Sequence, residues 1–325
     1  MREIRIEKND AGQRLDKFLQ KSLSIPKSLM YRYIRLKRIK RNGARAQIGD
    51  KLNEGDLLTL YISDEFFTRV TGEEYLKVRG EISVLFEDDN LLLVDKPAGM
   101  SVHEDESGNP DTLIANIQRY LYEDGKWDPK TEQSFVPALV NRIDRNTRGI
   151  VLAAKNAEAL RVLNEKMKSR EIRKFYLAAA HGELRPPSGT LTGYLLKDPV
   201  KKEVTVLRHP AAGAKLAKTK YHTIQFKKGI SFVECELLTG RTHQIRAQFA
   251  AAGHPLVGDR KYGTTALNKA TKLKGQALLS YRVFFDFTED AGILNYLRGR
   301  SFELEPLAFF AVFSDPSAHD IDEEE

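Results

Sequence analysis

The stretch NRIDRNTRGIVLAAKN, residues 141–156, sets one carboxylate, Asp144, among Arg142, Arg145 and Arg148 before turning apolar. Cations this close in sequence would keep a carboxylate ionised. The run Asn146-Thr147-Arg148-Gly149 breaks the apolar periodicity, so Asp144 is expected on a turn backed by a buried strand. That placement suits a nucleophile or a base, and it equally suits a surface ion-pair cluster. Two further segments carry compatible groups. TGRTHQIRAQ brackets His243 and Gln244 with Arg241 and Arg246, and either arginine could grip a carboxylate through paired hydrogen bonds. IRKFYLAAAHG sets Tyr176 in an apolar strand, as a core residue or as an aromatic face for stacking on a nucleobase.

Other chemistries are poorly served. The seven histidines, among them His103, His181, His209, His222, His243 and His254, show no HExxH-type metal spacing. There is no G-x-S-x-G elbow, no phosphate loop and no dinucleotide fingerprint after a strand. The single cysteine, Cys235, lies in the alternating run ISFVECELL and reads as a packed strand residue. One cysteine allows no internal disulfide framework and fits a reducing cytosol. The groups on offer are carboxylate, guanidinium and phenol, with no cofactor and no metal expected.

The elements that must position these groups divide the chain in two. From Arg14, RLDKFLQKSL puts Leu15, Phe18, Leu19 and Leu23 on one helical stripe. IPKSLMYRYIRLKRIKRNG follows, with Ser28 as the expected helix cap, Leu29, Ile34 and Leu36 as apolar anchors, and a turn at Gly43. Short strands are expected around Gly49-Asp50 and Glu54-Gly55-Asp56. Residues 63–80 read as a linker. EISVLFEDDNLLLVDKPAGMSVH is a hairpin signature, ended by Pro97 and Gly99. Helices are expected over 111–122 and 156–170, the second capped by Asn156, and strands over 173–181, 218–226 and 230–238. GRTHQIRAQFAAAGH reads as a helix stopped by Gly253. The expected organisation is a small N-terminal α/β unit over 1–62, an α+β unit with a mainly antiparallel mixed sheet over 81–315, and a frayed acidic tail over 316–325.

The charge is placed unevenly. Residues 1–62 hold fifteen Lys/Arg and seven Asp/Glu, a net of +8, whereas the rest of the chain sums to −1. From Lys27 to Gly49, Lys27, Arg32, Arg35, Lys37, Arg38, Lys40, Arg41 and Arg45 run without one acidic residue. The asymmetry points to a polyanion, a nucleic acid first and a membrane surface second, and the acid-free run can contact successive phosphates, against a merely solvated basic face. The opening MREIRIEKND lacks the apolar stretch of a signal peptide, and no window approaches the ~18 apolar residues of a membrane span. A soluble, cytoplasmic, monomeric protein is expected.

Two resemblances sharpen this reading. RLDKFL, YRYIRLKRIKRNG and GDKLNEGDLLTLYI resemble the αL-type RNA-binding module shared by a small-subunit ribosomal protein and several RNA-modifying enzymes. VLFEDDNLLLVDKPAGMSVH, NRIDRNTRGIVLAAKN and LLTGRTHQIRAQFAAAGHPLVGDRKYG resemble, in order, three motifs of pseudouridine synthases of the large-subunit ribosomal RNA type. The resemblance implies the fold of that family, RNA as partner and no cofactor. It makes Asp144 the essential carboxylate, Tyr176 the base-stacking tyrosine and Arg246 the partner of the aspartate. It gives Arg142 the space vacated by a flipped base, and makes Arg241 a motif residue beside His243 and Gln244. It places Leu278 or Leu279 against the uracil. Asn141 and Arg148 stand where the family usually has His and Ser, which suggests a divergent subgroup. Large-subunit ribosomal RNA is the implied target, with transfer RNA as the alternative. A non-catalytic RNA-binding assembly factor would account for the basic N-terminus alone. A nucleoside hydrolase would lack its usual second carboxylate.

Overall fold

The computed structural model describes residues 1–67, 74–104, 108–198, 200, 202–268, 273 and 275–311. The expected acidic tail over 316–325 lies outside the described residues.

The N-terminal unit runs β1 (Arg2–Arg5), α1 (Leu15–Ser22), α2 (Lys27–Arg35), β2 (Ile39–Arg41), β3 (Ala44–Arg45) and β4 (Leu57–Leu60). Its four strands pair in the order β1-β4-β2-β3. Leu15, Phe18 and Leu19 of α1 are fully buried against Met30, Ile39, Leu58 and Leu60. Each such side chain stabilises the unit by about 1.5–3 kcal/mol. Two expectations fail here. Ser28 does not cap α2, because Pro26 is already at the cap position, with a φ of −56° that suits a helix start. Leu36 is 55% exposed, since the buried stripe of α2 is Met30 and Ile34, four apart, and the chain leaves the helix at Leu36.

Short 3-10 turns at Asp64–Phe67 and Glu74–Lys77 follow. Tyr75 is buried edge-on between Tyr122 and Trp127. The second unit continues with β5 (Ser83–Glu87), β6 (Leu91–Lys96), α3 (Leu113–Glu123), β7 (Ala138–Leu139), β8 (Arg148–Ala154), α4 (Ala157–Ser169), β9 (Ile172–His181) and β10 (Ser188–Asp198). It ends with β11 (Glu203–Leu207), β12 (Lys215–Lys227), β13 (Ile230–Leu237), α5 (Gln244–Ala251), α6 (Thr265–Asn268), β14 (Leu278–Phe285), β15 (Ser301–Glu303) and α7 (Leu307–Ala311). Nine strands form the sheet path β11-β10-β12-β13-β9-β14-β8-β6-β5, with β15 on β14 and β7 on β8. Among the described strands only the β8–β14 pair is parallel, so the fold is the expected α+β with a mainly antiparallel mixed sheet.

Alternation along the strands decides which helix covers which face. Leu92, Val94, Val151 and Ala153 pack with Ile117 of α3 and Ile245 and Phe249 of α5. Leu91, Leu93, Ile150 and Leu152 pack with Ala159 and Leu163 of α4. Asn156 caps α4 by accepting from the Ala159 N–H at 2.8 Å. The β8–β14 junction depends on Gly149: its φ is +127°, and a Cβ there would meet the Ser280 carbonyl oxygen at 2.2 Å.

The two units touch through named polar contacts. Ser134 donates to Asp10 at 2.5 Å and accepts from Gln13 at 2.8 Å. Asn9 donates to Glu132 at 2.8 Å, and Arg161 donates to the Ala11 carbonyl at 3.0 Å. Asp10 and Ser134 are buried at this seam.

Candidate active site

Asp144 lies on the loop that β7 enters and β8 leaves, and the Thr147 N–H donates to its carbonyl at 3.0 Å. Its side chain lines an open cleft of about 890 Å³ together with Arg142, Tyr176, Arg241, His243 and Arg246. Two devices fix the loop. Asn141 is buried; its side-chain oxygen accepts from the Leu152 N–H at 2.8 Å, tying the loop to β8. Lys96 is fully buried, and its three ammonium protons meet three carbonyls: Pro97 at 2.8 Å, Met100 at 2.8 Å and Arg145 at 2.9 Å. Burial pulls the Lys96 pKa down to about 8 against the charges of Asp144 and Asp95.

The arginines adjacent in sequence do not pair with Asp144. Arg145 donates to the Gly99 carbonyl at 2.8 Å, and Arg148 pairs with Asp95 at 2.8 Å. Arg142 is exposed and lines the cleft. Arg148 opens β8 and is carried away from the loop. The cation comes from α5 instead: Arg246 donates to Asp144 Oδ2 at 2.8 Å. Among the described residues Asp144 Oδ1 makes no hydrogen bond, and His243 Nε2 stands 4.0 Å from Oδ2.

Arg246 is held from behind by Asp259, to which the sequence alone assigned no role. Nε and Nη2 of Arg246 donate to the two Asp259 oxygens at 2.7 and 2.9 Å. Asp259 also accepts from the backbone N–H groups of Lys261 at 2.9 Å and Tyr262 at 3.1 Å. Burial alone would raise its pKa; the hydrogen bonds and charge of Arg246 outweigh that and hold it below the usual carboxylate range. Burial likewise opposes the charge on Arg246, and its pairs with Asp259 and Asp144 raise its pKa regardless. The ring of Tyr262 stacks 5.2 Å from this guanidinium, and its hydroxyl meets His243 Nδ1 at 2.8 Å. His243 has a left-handed φ of 53° where α5 begins. The only signal for Asp259 in the sequence was its inclusion in the third motif.

Residues 90–251 match the family described as RNA pseudouridylate synthase. An uncharacterized RNA pseudouridine synthase of Mycoplasma genitalium is 32% identical over 289 residues, covering 86% of this chain and 88% of that one. The chain belongs to the RNA pseudouridine synthase family. Members are isomerases that act on RNA, and this protein is one of them. The chain is also 30% identical over 279 residues to ribosomal large subunit pseudouridine synthase C of Haemophilus ducreyi, covering 83% of this chain and 82% of that one. Among solved structures, human RNA pseudouridylate synthase domain containing 4 matches with a TM-score of 0.55 at 19% identity, over 71% of this chain and 91% of that one, a likeness of fold.

Within this pseudouridine synthase fold the remaining expected residues separate. Tyr176 is 5% exposed on β9 and lines the cleft, and burial pushes its pKa up to about 12. Leu278 lines the cleft as well. Leu279 does not; alternation turns it into a separate cluster with Phe175, Leu177 and Tyr281. Gln244 borders the cleft, but its amide is already saturated. It donates to the Lys218 carbonyl at 3.0 Å and to Thr219 at 2.9 Å, and accepts from Thr239 at 2.7 Å and the Arg241 N–H at 3.1 Å. That makes it a fixture of the loop before α5. Arg241 is exposed and donates to the Leu216 carbonyl at 3.1 Å. Cys235 is fully buried in β13, as expected.

On the N-terminal unit, Lys27, Arg32, Arg35, Lys37, Arg38 and Arg45 are exposed and Lys40 is partly so. Arg41 differs: it is committed to Asp56 at 2.6 Å inside the unit. The net of −1 after residue 62 also conceals a second basic stretch, because residues 185–228 hold ten Lys/Arg and two Asp/Glu. Among the described residues no helix is long and apolar enough to cross a membrane.

Proposed function

We propose that this protein converts specific uridines of large-subunit ribosomal RNA to pseudouridine, with Asp144 as the essential carboxylate and the target base flipped into the cleft. The observation that carries this reading is the half-engaged carboxylate. Arg246 fixes one Asp144 oxygen and leaves the other facing a cleft that holds a buried tyrosine and an exposed arginine. The names of relatives such as ribosomal large subunit pseudouridine synthase C support the choice of RNA.

The reaction detaches C1′ of the ribose from N1 of uracil, turns the base and joins C1′ to C5; the C5 proton is lost and N1 gains one. A carboxylate can stabilise the developing oxocarbenium sugar, add to the base, or take a proton from the sugar. Arg246 holds Asp144 in place through their 2.8 Å hydrogen bond. A stacked uridine is out of reach, so it must leave the helix at a cost of a few kcal/mol. In this reading Arg142 fills the vacated stack, while Tyr176 and Leu278 give the extruded uracil an aromatic and an apolar wall. Residues 1–62 form an RNA-binding module that adds phosphate contacts, and residues 81–315 form the catalytic domain.

Pseudouridine mapping of total RNA tests this in cells with the gene intact, deleted, or restored as Asp144→Asn. A ribosomal uridine modified only by the intact copy is expected. Modification that survives in Asp144→Asn ends the role of Asp144. A site found in transfer RNA redirects the substrate. No altered site anywhere, with RNA still bound, leaves a binding factor.

A further inference from the structure

Beyond Asp144 the cleft continues along α4, where Asn164, Met167 and Lys168 line it opposite Lys174 of β9. Lys174 precedes Tyr176 by two residues, so strand alternation sets both on the same side of the sheet. Among the described residues its ammonium meets only the thioether sulfur of Met167, at 3.2 Å, which is a weak acceptor. On its other side lies Gly240, where a Cβ would come within 3.9 Å of Nζ.

Three other lysines withdrawn from solvent have oxygen partners. Lys96 has three carbonyls. Lys155 pairs with Glu87 at 2.7 Å and also reaches the Asp88 carbonyl at 2.5 Å. Lys166 pairs with Glu171 at 2.8 Å. Among the described residues no carboxylate pairs with Lys174, and burial lowers its pKa to about 8. A cation that has lost water without gaining a counter-charge costs stability. In a cleft that admits a polyanion, the counter-charge can arrive with the ligand. Lys168 and Lys197 line the same cleft, exposed and without an acidic partner among the described residues, while the carboxylates on its wall are Asp144 and Glu104.

We propose that Lys174 is a binding residue for one backbone phosphate of the RNA segment whose uridine reaches Asp144. This rests on the RNA-modifying reading above and adds a phosphate subsite inside the catalytic cleft, separate from the basic face of the N-terminal unit. The contact is a charge-assisted hydrogen bond from the partly buried ammonium to a phosphate oxygen, where it is stronger than on a fully exposed surface.

The test is fluorescence anisotropy of a labelled RNA oligonucleotide with wild type, Lys174→Met and Lys174→Arg over a salt series. The oligonucleotide spans the uridine found by mapping; oligouridine serves if none is found. Lys174→Met is expected to bind about tenfold more weakly and to lower the slope of log affinity against log salt by about 0.7–0.9, one phosphate's worth. Lys174→Arg keeps the slope. In turnover the loss falls on KM far more than on kcat. Lys174→Met should melt no lower than wild type, because a methionine beside Met167 replaces an unpaired cation; if it does not fold, Lys174→Gln takes its place. Unchanged affinity and slope in the charge-removing variant overturn the proposal, as does a loss confined to kcat. A wild type that modifies no RNA defeats the catalytic reading instead, while the oligouridine series still judges Lys174.

Discussion

Arg246 and Asp259, thirteen residues apart, make a two-pronged ion pair at 2.7 and 2.9 Å, and the same guanidinium also reaches Asp144 at 2.8 Å. One carboxylate fixes the arginine and the arginine fixes the other. The side chain of Asp259 is wholly buried, whereas that of Asp144 is 23% exposed, so removing each charge has a different consequence.

Asp259→Asn leaves a buried guanidinium short of its main counter-charge. We expect it to destabilise the protein by about 3–5 kcal/mol and to cut turnover at least ~100-fold through displacement of Arg246. Asp144→Asn should abolish turnover while shifting stability by less than about 1 kcal/mol, the range for a partly exposed pair. Denaturant titration and single-turnover assays on both variants check this. Equal stability losses would show that Asp259 does not dominate.

Gly149→Ala should unfold the β8–β14 junction. The left-handed-side φ and the 2.2 Å approach to the Ser280 carbonyl leave no room for a methyl group. We expect a loss of more than ~3 kcal/mol, the range for combined backbone strain and overpacking. A thermal melt within a few degrees of wild type would contradict it.

Acid stability should depend on Glu171. Its hydrogen bond from Lys166 is the chief cause of a pKa lowered to about 2. A carboxylate whose folded pKa is depressed contributes stability above its unfolded value of about 4.3, and that contribution is lost as pH falls toward 2. Melting temperatures of wild type should therefore fall across this window more steeply than those of Glu171→Gln. Parallel curves would remove Glu171 as the cause.

The basic face of the N-terminal unit should act through charge alone. Arg32 and Arg35 are exposed on α2, so replacing both with Ala should leave melting unchanged. It should lower the salt slope of RNA affinity by about 0.7–0.9 for each phosphate that these side chains neutralise. Arg41→Ala is the contrasting case: it breaks the pair with Asp56 and should lower stability instead. A lower melting temperature in the Arg32/Arg35 variant, or no change of slope, would argue against a phosphate-facing surface.

The sequence by itself determined the local elements and marked the candidate groups for the site. Asn156 and the apolar spacing behind it specify α4, the run from Leu91 to Val94 specifies a strand, and Gly253 stops α5, because capping, alternation and left-handed turns are decided within a few residues. The half-exposed strands β10 and β11 and the strand β14 were not legible in this way, since their pairing comes from neighbours distant in the chain. Only the tertiary structure decided who meets whom. Arg145 and Arg148 look like partners of Asp144 along the chain, yet its cation comes from a helix 102 residues away. Leu278 faces the cleft and Leu279 does not, Asp259 sits behind Arg246, and Lys174 is left without a counter-charge among the described residues. Each of these depends on sheet register and helix placement, and Coulomb and packing forces act across space with no regard for separation in sequence.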